Sequence, residues 1–278
     1  MATDPRQRFI EKARRFRTRK RALSIGDSWF QYPLRSYGDL QRKVETHFHS
    51  KILSYHRSHA GRDAKQLPTE VQPRLDRFTA HMAHVEEKPF DLILVSLGGN
   101  DVIGQDFARH LKKKADPADG TTFQWNATIP QTVKDHIRLK PLTDTFDDIR
   151  AAYDGILEMR KRFAPQARII CHSYADVTPS DTPYQFIGYS AGPWMFRPMR
   201  RVGLTVDIEQ REVSRWLLES FENLLSDIAR RRTFMTVLKT RQELPIYKGW
   251  WDNEIHPLGK GFQHLVDTHW IPEIDRHL

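Results

Sequence analysis

The stretch Arg21–Phe30, RALSIGDSWF, constrains this chain more than any other. Ala22, Leu23, Ser24 and Ile25 suit a buried strand, and Gly26-Asp27-Ser28 then forces the chain to turn. A short apolar strand ending on glycine and a small polar residue reads as the first strand of an α/β sheet, with its loop at the carboxyl end. Open sheets of this class place ligands along that edge. Ser28 is therefore expected as a hydroxyl at a strand end, entering a helix N-terminus whose free N–H groups could hold an oxyanion. Taken alone, Asp27 and Ser28 read more readily as caps of the next helix.

Two distant stretches bear on that choice. Residues 97–101, LGGND, directly follow a second buried strand, Asp91–Ser96, and residues 251–257 read WDNEIHP. GDS early, GGND in the middle and a late His-Pro preceded by acidic residues resemble, in that order and over nearly the whole chain, the GDSL or SGNH hydrolase family. The resemblance implies a three-layer α/β/α sandwich with a flavodoxin-like parallel sheet. It also implies an esterase or lipase that works through an acyl-enzyme and needs no metal or organic cofactor. The four signature residues fall at Ser28, Gly61, Asn100 and His256. Ser28 would be the nucleophile and His256 its base, with the Ser28 and Gly61 N–H groups and the Asn100 amide as oxyanion donors. The family's acid sits three residues before the histidine, and here that position is Asn253. Asp252, one residue earlier, carries the charge that stabilises an imidazolium and is the preferred third member; Asn253 is its rival. A phospholipase or a carbohydrate deacetylase would use the same site, so the expected substrate is a small-molecule or lipid ester.

At 278 residues the chain can bury a sizeable core, and a basic arm or helix over 1–20 followed by one domain over 21–278 is the natural division. Insertions are expected at about 104–142 and 178–203. Strands and helical patterns alternate throughout, which argues for about five parallel strands covered on both faces. No apolar run is long enough to span a bilayer, and the N-terminal residues lack the apolar core of a secretory signal. The single cysteine, Cys171, fits a reducing compartment. Cytoplasm is the default expectation, with signal-less export also compatible.

The formal net charge is +9, concentrated in the N-terminal arm, Lys112–Lys114, Arg197–Arg201 and Arg230–Arg232. No zinc-ligand spacing or RNP-type aromatic motif accompanies these clusters, so a solvated basic surface is favoured over nucleic-acid recognition. Peripheral contact with an anionic membrane remains open. The rival of another class is a non-catalytic basic module that recruits nucleic acid or anionic membrane.

Along the chain, Phe9, Ile10, Ala13 and Phe16 predict a short amphipathic helix packed on the domain. Lys51–Arg57 reads as the second strand, with Ser58–Gly61 as the turn after it, and residues 63–86 as a helix broken by Pro68 and Pro73. A helix from Thr143 to Arg162 precedes a strand at Ala167–Cys171; His172 and Asp176 follow, expected in structural or substrate-contact roles. Within 178–203, large apolar side chains from Tyr184 to Met199 sit among Gly and Pro with no period. This predicts a lid or wall over an apolar pocket, with Trp194 and Phe196 touching substrate. Asp207 and Gln210 predict a capping box on a long helix with Ile208 in its buried stripe. Thr233–Leu238 reads as the last strand, and a loop then delivers His256.

Overall fold

Seven strands occur among the residues that the computed structural model describes, which are 4–32, 38–86, 89–186, 189–247 and 249–278. In chain order they are β1 Lys20–Gly26, β2 Ile52–His56, β3 Leu92–Ser96, β4 Arg168–His172, β5 Tyr184–Phe186, β6 Tyr189–Ala191 and β7 Met235–Leu238. Five of them form one sheet in the order β2-β1-β3-β4-β7, with every pairing parallel. All five residues of β3 are buried. The strand lies inside the sheet with helices over both faces, so it carries no polar alternation.

The helices are α1 Pro5–Arg15, α2 Leu40–His47, α3 Gln72–Glu86, α4 Gly99–Ile103, α5 Gln131–His136, α6 Leu139–Phe163, α7 Phe196–Arg201, α8 Asp207–Ala229, α9 Gly259–Leu265 and α10 Ile271–Asp275. The connection through α2 runs from β1 outward to β2, whereas those through α3, α6 and α8 run the other way. Right-handed crossovers therefore place α2 on one face and the other three on the opposite face. Contacts agree: α6 packs on both α3 and α8, and α2 packs on α9. This is the three-layer α/β/α sandwich expected, with the flavodoxin-like strand order.

The N-terminal helix is amphipathic as read. Phe9 is buried against Tyr55, Phe78 and Phe90, at ring separations of 5.5, 6.2 and 5.9 Å. Within 104–142, Phe123 and Trp125 bury against Phe146 of α6, and Phe123 also meets Trp216 of α8. The segment is thus anchored by aromatic burial although it has little regular structure.

Several local expectations are corrected. Ser28 does not enter a helix: residues 28–30 form a turn and α2 begins only at Leu40. The Asp27 side chain takes the Trp29 N–H at 3.0 Å, and the Asp27 carbonyl takes Gln31 N–H at 3.0 Å, which closes the turn locally. No capping box opens α8, where Gln210 Nε2 instead donates back to the Leu204 carbonyl at 2.8 Å. Ile208 is 70% exposed rather than part of the buried stripe. Within 178–203 the antiparallel β5–β6 hairpin and α7 supply regular structure in elements too short to show a period. Ile187, also expected in the wall, lies outside the described residues.

Candidate active site

The carboxyl ends of β1, β2 and β3 and the loop after β7 meet where the strand order reverses, between β1 and β3. Each supplies one expected residue: Ser28 follows β1, Gly61 follows β2, Asn100 follows β3 and His256 ends the last loop. All four line one cavity of about 220 Å³, together with Tyr32, Ala60, Gln105, Tyr184, Ala191, Trp194 and Ile255.

Ser28 Oγ lies 2.7 Å from His256 Nε2. The His256 loop is held closed at its base, where Trp251 bridges Pro257 and Asp252 N–H donates to the His256 carbonyl at 2.9 Å. Asn253 sits at its tip. Its Oδ1 accepts the N–H groups of Ile255 at 3.2 Å and His256 at 3.1 Å, an Asx-type turn that local sequence alone can form. The same oxygen lies 2.9 Å from His256 Nδ1. An amide oxygen only accepts, so Nδ1 carries the ring proton and the Nε2 lone pair faces the Ser28 hydroxyl. Trp29 Nε1 donates to the Ile255 carbonyl at 3.1 Å and so ties the serine turn to the histidine loop.

Asp252, expected to orient His256, is not the residue at Nδ1. Its Oδ2 receives the Tyr32 hydroxyl and, at 3.2 Å, Asn253 Nδ2. The Asx turn explains the difference, because it points residue 253, and not its neighbour, back over the ring. Glu254 turns the other way and takes the N–H groups of Met195 at 2.7 Å and Phe196 at 3.1 Å.

The loops that carry Gly61 and Asn100 are tied together. Asn100 Nδ2 donates to the Arg62 carbonyl at 3.0 Å, and the Asp101 carboxyl accepts Ala64 N–H at 3.0 and 2.8 Å. Gly61 has φ +75, a conformation that favours glycine and sets the direction of the neighbouring N–H groups. The glycines before Asn100 are there for close approach. A Cβ on Gly98 would stand 2.6 Å from Phe221 Cε2, and one on Gly99 2.6 Å from Tyr174 Cζ.

Beneath the serine, Asp27 is fully buried. It receives the Tyr174 hydroxyl, and Ser96 Oγ at 3.1 Å, while His172 Nε2 lies 2.9 Å from Ser96 Oγ. His172 is thus part of the support under the serine turn. Asp176 instead pairs with Arg241 at 3.0 Å, and neither lines the cavity. Burial pushes Asp27 up to about 6 and His172 down to about 3. Burial likewise pushes His256 down to about 3, so the ring is neutral and able to accept a proton at pH 7.

Of the two side chains expected against substrate, Trp194 lines the cavity and its ring stands edge-on to His256 at 5.8 Å. Phe196 does not line it: the residue opens α7 and is half-buried beneath Arg200. Tyr184, expected in the wall over the pocket, also lines the cavity, whereas Tyr32 and Gln105 line it without having been singled out. No motif marks those two, because they reach the site from separate loops. Among the described residues no cluster of three or more His, Cys, Asp or Glu is placed to hold a metal ion, and no helix is long and apolar enough to cross a membrane.

No family model and no curated protein matches the sequence. Among solved structures, the chain is similar to an extracellular lipase from Streptomyces rimosus, at 13% identity and TM-score 0.50, covering 93% of this chain and 100% of that one. It is also similar to a lipase from the goat rumen metagenome, at 11% identity and TM-score 0.52, covering 89% of this chain and 94% of that one. At such identities the likeness is one of fold: the chain shares the three-layer α/β/α fold of these lipases.

Proposed function

We propose that the chain is a serine hydrolase of the GDSL/SGNH type that cleaves short-chain carboxylic esters through an acyl-enzyme on Ser28. The observation that carries this reading is the 2.7 Å contact between Ser28 Oγ and the unprotonated Nε2 of His256, in a cavity shared with Gly61 and Asn100. A serine hydroxyl is a weak nucleophile until a base takes its proton during attack. His256 Nε2 takes that proton as Ser28 Oγ adds to the ester carbonyl. The oxygen that becomes negative is received by the Ser28 and Gly61 N–H groups and the Asn100 amide. Collapse breaks the ester C–O bond, and the proton on Nε2 passes to the departing alcohol. Water then adds to the acyl carbonyl as Nε2 takes its proton, and Nε2 returns that proton to Ser28 Oγ as the acyl–Oγ bond breaks and the acid leaves.

The cavity supports a short acyl group. Its volume of about 220 Å³ is small for a ligand pocket, and Trp194, Tyr184 and Ala191 wall it. The test pairs a fluorophosphonate probe with p-nitrophenyl esters of increasing acyl length. Labelling at Ser28, with turnover falling by several orders of magnitude in Ser28→Ala, is the expected result. Undiminished turnover in that variant, or no labelling of the wild type, overturns the reading.

A further inference from the structure

Asn253 is saturated with hydrogen bonds, and its environment leaves the amide one orientation. On the oxygen side are three N–H groups: Ile255, His256 and the His256 ring. On the nitrogen side are two acceptors, the Tyr32 hydroxyl at 3.0 Å and Asp252 Oδ2 at 3.2 Å. Tyr32 in turn gives its own proton to Asp252 Oδ2, which closes a three-membered ring of hydrogen bonds behind the amide. Reversing the amide would set NH₂ against three donors and oxygen against a carboxylate. The Tyr32 ring also packs on the imidazole at 4.7 Å between centroids, so one side chain touches the base by its face and holds its partner by its hydroxyl.

We propose that Asp252 and Tyr32 are positioning residues for the base. Together they lock the Asn253 carbonyl onto His256 Nδ1, and Asp252 lends its negative charge to the ring through the polarised amide. Hydrogen bonds in a chain strengthen one another, and a carboxylate on the amide N–H makes the amide oxygen a better acceptor. The imidazolium formed during attack is thereby stabilised without a carboxylate touching it. Burial first, then the hydrogen bond to Asp252, hold the proton on Tyr32, and Tyr184 adds to the effect. Glu254 is committed to the 195–196 backbone and does not share the role.

The proposal deepens the hydrolase reading and rests on it for the kinetic arm of the test, so a spectroscopic arm is needed. Asp252→Asn and Tyr32→Phe are made in the wild type and in Asn253→Asp, where residue 253 carries its own charge. In the wild-type background each variant is expected to lower kcat on the order of tenfold with little change in KM, a coupling usual within one hydrogen-bonded network. In the Asn253→Asp background the Asp252→Asn loss should shrink or reverse, because the relayed charge is no longer needed. By NMR the His256 Nδ1–H resonance should move upfield in Asp252→Asn. Equal losses in both backgrounds, or an unmoved Nδ1–H resonance, overturn the proposal. Failure of wild-type Ser28 to react with the fluorophosphonate removes the hydrolase reading instead, and the resonance still decides the clamp.

Discussion

His256 Nδ1 lies 2.9 Å from the Asn253 carbonyl oxygen, so the ring is oriented by a neutral group. A carboxylate in that place would favour the imidazolium and raise the histidine's pKa. Here no carboxylate touches the ring, and burial takes it down to about 3.

The pH profile follows from this. In the proposed mechanism His256 acts as a base only when neutral, and a lowered pKa keeps it neutral as the pH falls through 6.5. The kcat/KM of the wild type for a neutral ester should therefore stay flat between pH 5 and 8. Asn253→Asp should bring an acid limb up into that window. A wild-type limb near pH 6.5 would mean that a charge reaches the ring more strongly than the geometry implies.

Asn100 is the side-chain oxyanion donor in the proposed mechanism. Asn100→Ala should lower kcat by roughly 10²–10³ with KM nearly unchanged, the size found for loss of one such donor. An effect confined to KM would make it a substrate-binding residue. The same side chain holds the Arg62 carbonyl, so circular dichroism and melting temperature must accompany the assay.

Trp194 and Phe196 are predicted to part company. Trp194→Ala removes one wall of the cavity and should shift preference toward longer acyl chains. Phe196→Ala leaves the wall intact and should not change the preference. Turnover of p-nitrophenyl acetate, butyrate and octanoate compares them directly, and parallel shifts in the two variants would redraw the pocket.

Glu254 offers a stability test. Burial raises it from 4.5 to about 7 although backbone N–H groups favour its charged form. Between these values the folded state binds the proton and the unfolded state does not. This contribution to stability is therefore complete below pH 4.5 and lost as the pH rises through about 7. At about 1.4 kcal/mol per unit, the loss is at most on the order of 3 kcal/mol. Urea denaturation at pH 4.5 and 7.5 should show a smaller pH-dependent change in Glu254→Gln than in the wild type. Equal changes would show that Glu254 stays ionised throughout.

Much of the architecture was legible because it is written in short-range pattern. The continuous apolar run before Gly98 and the strand before Gly26 mark interior strands, and Pro165 marks the end of α6. Boundaries drifted where the chain carried no punctuation. The helix expected from Thr143 begins at Leu139, because Pro141 sits in its first turn, where a missing N–H costs nothing.

Read along the chain alone, the residues already placed the sheet, its carboxyl edge, and the order in which Ser28, Gly61, Asn100 and His256 reach that edge. Periodicity, glycine placement and the three motifs are local properties, and local properties survive reading in one dimension. The folded chain settles which residue faces His256 Nδ1, which aromatic side chains wall the cavity, and that Asp252 lies behind Asn253 with Tyr32. Those choices turn on the path of a seven-residue loop and on partners up to 221 positions apart in sequence. Neighbouring residues such as Asp252 and Asn253 differ little in spacing, but the Asx turn sends their side chains in different directions, and no pattern of residue types records that direction.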